Sequence, residues 1–120
     1  MKNILEKNEL IAKFIGVEPL KDLLADKNGN INIDIDIYEQ CKFHSDWNWL
    51  MKVVEKIHSM QSYGVLINPN GTYIQDEDDK VICMTFKNEE VNGKIISSSN
   101  IEATFNCCAE FVKWYNEQNK

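Results

Sequence analysis

The stretch HSDWNWLMKVVEKIHSMQ, residues 44–61, limits what this chain can fold into more than any other. Placed at helical steps of about 100° per residue, only Asn48, Lys52, Glu55, Lys56 and Ser59 form a polar strip, itself roughly 100° wide. Leu50, Val54 and Ile57 mark the centre of the apolar remainder. Trp47 and Met51 lie on one shoulder, and Trp49, Val53 and Met60 on the other. A helix apolar over more than half its girth packs against two elements, so at least one of its tryptophans belongs to a core. Ser45 is the expected N-cap, with Asp46 in a first turn where the helix dipole favours negative charge.

A second helix closes the chain. SNIEATFNCCAEFVKWYNEQNK opens on Ser99-x-x-Glu102, a capping box. Ile101, Phe105, Cys108, Val112 and Tyr115 then recur at steps of four and three. Trp114 falls about 140° from the centre of that stripe, near Cys107 and Phe111. The pattern predicts an exposed patch there, and with it a homodimer through this side of the helix.

Between the helices the period shortens. YGVLINPNGTYIQD holds Asn-Pro-Asn-Gly between two strand-like runs and predicts a hairpin. VICMTFK predicts a further strand, with Cys83 and Thr85 on one face and Met84 and Phe86 on the other. Asn92-Gly93 predicts a second hairpin involving Ile95 and Ile96. Upstream, NELIAKFIG predicts a short helix capped by Asn8 and ended by Gly16, with a loop from Pro19. NINIDIDIYE alternates strictly, with Ile31, Ile33, Ile35 and Ile37 on one face, and predicts a strand. These elements amount to one α+β domain over residues 1–120. It has an antiparallel sheet of three to four strands, two long helices packed on one face, and a short N-terminal helix.

Composition narrows the function. The formal charge is −6 and all thirteen basic residues are lysines, so clustered guanidinium contacts to phosphate are unavailable and general nucleic-acid binding is not expected. No apolar run approaches the roughly 20 residues that span a bilayer, and charges stud the N-terminus where a signal peptide needs an apolar region. No membrane association is expected, and the expected location is the cytoplasm. The four cysteines, two of them adjacent, suit reduced thiols better than a disulfide framework.

No residue constellation announces chemistry. DKNGNINIDIDI, residues 26–37, places Asp26, Asn28 and Asn30 like calcium-loop ligands. It has Ile31 where the sharp turn needs Gly and Ile37 where a bidentate Glu is required. Glu55-x-x-His58 occurs once, whereas a di-metal carboxylate site needs two such pairs. Cys41-x-x-His44 has no second short-spaced pair to complete a zinc set. His44 beside Ser45 lacks the orienting carboxylate of a nucleophile–base pair. The acidic run 76–79 reads as a solvated loop that would at most attract a cation. No catalytic residue, metal ligand or cofactor is therefore expected.

Two segments carry a resemblance. His44, Ser45, Trp47, Trp49, Leu50 and Met51, running into Val53-Val54-Glu55-Lys56-Ile57, together with Phe111-Val112-Lys113-Trp114-Tyr115-Asn116, resemble a family of small uncharacterised proteins encoded by bacteriophages and prophages. Lys52 departs from it, since the family often has Pro there, and the middle strands match loosely. The resemblance implies a phage accessory protein and no catalytic residues. The leading expectation is a non-catalytic binding or interaction module for a host or phage protein. The alternative is a counter-defence protein that sequesters a small nucleotide signal, and a small hydrolase ranks last. Trp49, Trp114, Phe111, Met60 and Tyr115 are the expected contact residues. A pocket lined by Trp, Tyr and Lys would favour the nucleotide, and a flat apolar patch the protein partner.

Overall fold

Two helices occupy the N-terminal region where one short helix and a loop were expected. The computed structural model describes residues 2–32, 34–97 and 99–118. In it α1 spans Lys2–Ile15 and α2 spans Val17–Leu24. Asn8 is no cap but a mid-helix residue, 2 % exposed. Pro19 falls in the first turn of α2, where a missing N–H breaks no helical hydrogen bond. Gly16 makes the corner at φ 96°, a conformation that favours glycine.

The alternating isoleucines form no strand. Of these residues Ile33 lies outside the described residues, and the rest run as a loop into α3, Ile37–Gln40. The physical reason lies in the polar half of the alternation. Asp26 Oδ1 accepts from the N–H groups of Asn28 and Asn30 at 2.8 and 3.0 Å, Asn32 Oδ1 from Asp34 N, and Asp36 Oδ1 from Tyr38 N. Short Asp and Asn side chains thus supply the hydrogen bonds that a neighbouring strand would have supplied.

Helix α4, Trp47–Ser59, starts one residue later than expected. Asp46 is the N-cap, its Oδ1 accepting from Asn48 N at 2.8 Å, while Ser45 is exposed in the preceding turn. The tryptophans divide. Trp49 is buried edge-on against Phe43, with centroids 5.1 Å apart, and Trp47 stays 39 % exposed.

Strands β1 (Tyr63–Asn68), β2 (Gly71–Asp76) and β3 (Val81–Phe86) form an antiparallel sheet in that order. The expected turn joins β1 to β2, with Asn68 opposite Gly71. Gly71 is required there, because a Cβ would lie 2.9 Å from Phe86 Cα on β3. Strands β4 (Glu89–Val91) and β5 (Lys94–Ser97) make a separate hairpin around Asn92-Gly93, both at positive φ as such a turn requires.

Helix α5, Asn100–Gln118, is the centre of the molecule. Ser99 Oγ accepts from Glu102 N at 3.2 Å, as the capping box predicts. The helix lies across β2 and β3 and is backed by α1, while α4 runs against β1 with α1 and α5 at its sides. Between sheet and α1, residues 103–109 are all buried, together with Phe111 and Val112. Cys107, expected on an exposed side, is fully buried. Thr72 and Thr104 join hydroxyls at 2.7 Å across the helix–sheet interface, and Thr104 also donates to Asn100 O. Lys7 donates to Asn106 Oδ1 at 2.8 Å, and Asn106 donates to Ser97, which ties α1, α5 and β5 together. The α+β class holds. Among the described residues no helix is long and apolar enough to cross a membrane.

Candidate functional site

At one end of the sheet, β1 begins, β2 turns into β3, and the last turns of α5 pass close by. A pocket of about 390 Å³ opens there, lined by Tyr63, Asp76, Glu77, Asp78, Lys80 and Trp114 among others. Its acidic rim is ordered by one of its own members. Asp76 Oδ1 accepts from Asp78 N at 2.9 Å and Lys80 N at 3.0 Å, so that carboxylate shapes the turn. Asp79, at φ 65°, takes a hydrogen bond from Gln75 Nε2 at 3.3 Å. Glu77 and Asp78 stay exposed at the rim.

The aromatic wall is built by packing. Phe111 is its hub, fully buried, with Tyr63 edge-on at 5.0 Å, Tyr115 stacked at 6.1 Å and Trp114 tilted at 5.8 Å. Tyr63 and Trp114 meet at 6.0 Å with ring planes 83° apart, two near-perpendicular walls. This corrects the expectation for α5. Trp114 is half-buried because Tyr63 of β1 reaches beside it, and Phe111 belongs to the core. Of the expected contact residues, Trp114 alone lines the pocket. Tyr115 and Phe111 support it from behind, Met60 is half-buried at the end of α4, and Trp49 lies elsewhere. Tyr63 was not anticipated, because a strand's first residue carries no mark of what will pack on it.

Trp49 lines a second hollow with Cys41 and His44. Asn8 Nδ2 lies 3.4 Å from Cys41 O, which demands the N–H₂ there, and 3.3 Å from His44 Nδ1, which therefore accepts. Burial accordingly lowers the His44 pKa. The Cys41 thiol donates to Ile37 O at 3.3 Å, and burial, with Asp36 nearby, pushes its pKa up to about 11. A thiol so protonated is a poor nucleophile, and the imidazole nitrogen placed here faces Asn8 rather than sulfur. The other three thiols are also buried and free. Burial raises all three, Cys83 to about 11 with Glu110 adding, and Cys108 to about 12 with Cys83 adding. His58, the other histidine, accepts from Val65 N at 3.0 Å and so caps the edge of β1.

The pocket offers two aromatic rings, three carboxylates and one ammonium. Aromatic faces and carboxylates both favour a cation, whereas phosphate would meet three negative charges against Lys80 alone. No group of three His, Cys, Asp or Glu side chains among the described residues converges as a metal site. Comparison of the chain with family models, with curated proteins and with solved structures finds no match.

Proposed function

We propose that the protein is a non-catalytic binding module, and that it holds a partner protein through a lysine or arginine side chain seated between Tyr63 and Trp114. The near-perpendicular pair of rings beside the carboxylates of the β2–β3 turn carries this reading. Magnitudes make the partner a macromolecule. A cation–π contact contributes about 0.5–2 kcal/mol, while even millimolar affinity needs about 4 kcal/mol. A free amine would bind too weakly to matter, so the partner's surroundings must supply the rest. We further propose, on the resemblance that residues 44–57 and 111–116 suggest to phage and prophage proteins, that the partner is a host or phage protein. A homodimer through α5 forms no part of this reading, because Cys107 and Phe111, two of the three side chains expected to carry it, are in the core.

The nucleotide alternative uses the same Tyr63, Trp114 and Lys80 and is opposed by the acidic rim, so one experiment separates the two. Titration of labelled protein with a lysine-rich peptide should shift the Trp114 indole N–H resonance. A glutamate-rich peptide of equal length and a cyclic dinucleotide should not. Asp78→Asn should weaken the response, and Trp114→Leu should abolish the accompanying shift of the Tyr63 amide. A dinucleotide that shifts the same resonance at lower concentration than the lysine peptide replaces the proposal with nucleotide sequestration.

A further inference from the structure

A groove of about 370 Å³ lies between α1, α2 and the residues Ile31, Ile37 and Tyr38. Leu20, Leu24, Ile31 and Ile37 line it, with Ala12 at its base side and Val17, 65 % exposed, beside it. Two of the isoleucines expected in a strand therefore form one wall of a cleft. The charged side chains that line it are both lysines, Lys13 and Lys21, and Tyr38 adds a hydroxyl. In a chain of net charge −6, an apolar cleft whose own ionisable lining is cationic stands apart from its surroundings. Lys13 also leans toward Glu9 at 3.8 Å, an exposed pair one helical turn apart that holds the ammonium only loosely.

We propose that this groove binds an aliphatic carboxylate of the fatty-acid class. The alkyl chain lies along Leu20, Leu24, Ile31 and Ile37, and the carboxylate is met by Lys13 and Lys21. Charge complementarity selects the head group, since an anion gains two ammonium partners and a cation meets two repulsions. Size selects the tail. An α-helix with its side chains is about 10 Å across and rises about 5.4 Å per turn, so a single turn already fills a space of this volume. Apart from the two lysines and Tyr38 the lining is apolar, which suits a single alkyl chain. The site is separate from the Tyr63–Trp114 pocket and shares no lining residue with it.

The test is a methyl-resonance titration of the full chain with decanoate, kept below its micelle concentration, beside decanol and decyltrimethylammonium. Decanoate should shift the methyl signals of Leu20, Leu24, Ile31 and Ile37, with decanol weaker and the ammonium weaker still. Affinity through the series hexanoate, octanoate and decanoate should rise by up to roughly fourfold per added methylene until the groove is full. Lys13→Gln with Lys21→Gln should weaken decanoate about tenfold and leave decanol unchanged. These lysines are exposed, so the fold is not at stake. Equal binding of decanoate and decanol, shifts centred instead on exposed Met84 and Phe86, or no saturable binding would overturn the proposal. Occupation of the same residues by anionic vesicles or by an acidic amphipathic peptide, without binding of free decanoate, would overturn it too.

Discussion

Helix α5 and the segment from Asp26 to Gln40 both looked half-apolar, and they ended in opposite conditions. Contacts of α5 are long-range. Lys7 reaches Asn106 across 99 positions, Thr72 meets Thr104 across 32, and Phe14 and Tyr63 close on Phe111 from two directions. Polar contacts of the described residues in 26–40 span two to eight positions and reach no farther than Cys41. One region is held by the whole molecule, while the other takes its hydrogen bonds locally and, among its described residues, reaches the core only through Ile37 and Tyr38. Where elements close in from both sides, even the off-stripe positions of a helix become core. Where no strand arrives, Asp and Asn complete the backbone locally and the isoleucines are left to line a groove or face water. Both proposed sites follow from this division, one where α5 meets the sheet end and the other against the loop wall.

The largest expected effect lies in α5. Phe111→Ala should lose about 3–5 kcal/mol, the cost of removing a fully buried aromatic ring. Ile35→Ala, at a position 47 % exposed, should stay within about 0.5 kcal/mol. Urea midpoints at unchanged slope measure both, and comparable losses would erase the contrast between the two regions.

The helix–sheet link can be sharpened by a double-mutant cycle. Thr104→Val should cost about 1–3 kcal/mol because it strands the buried Thr72 hydroxyl. Adding Thr72→Val should cost little more, and strictly additive losses would show that the two hydroxyls do not act as a pair.

At the boundary of the two regions, Asp46→Ala should cost about 1 kcal/mol through loss of the α4 cap, whereas Ser45→Ala should be nearly silent. The reverse order would return the helix start to Ser45.

The smallest effect is a pH dependence at the seam. His44 stands between Asn8 of α1 and Phe105 of α5, its ring 5.9 Å from the latter, and burial holds its pKa below the ordinary 6.5. Above 6.5 both folded and unfolded forms are neutral and this group costs nothing. As pH falls through 6.5 the unfolded chain takes up a proton that the folded one resists, so stability declines until the folded pKa is reached. His44→Asn should flatten that part of the stability profile in thermal melts between about pH 7 and 5, a window set around the ordinary histidine value. A wild-type profile already flat there would remove His44 as a load on the seam.

Much of the fold was legible because it rests on neighbours in the chain. The hairpin at Asn68-Pro69-Asn70-Gly71, the capping box at Ser99 and the helical period of residues 47–59 depend on turn chemistry, a side-chain cap and a repeat, and all three stand. The α+β class followed from them. The Tyr63–Trp114 pocket was half legible, since Trp114 was marked by its misfit to the stripe and Tyr63 by nothing.

By itself, then, the sequence determined which residues turn, cap and repeat, because those interactions close within a few positions. Only the tertiary structure decided the rest. A period of two becomes a strand only if another strand offers hydrogen bonds, and none reaches Ile31 or Ile35. A helix shows one apolar stripe in sequence but can be covered on both sides once folded, as Cys107 and Phe111 are. Two tryptophans two residues apart look equivalent until Phe43 meets the ring of Trp49 and leaves Trp47 in water. These outcomes depend on which distant surface arrives, and no local spacing contains that information.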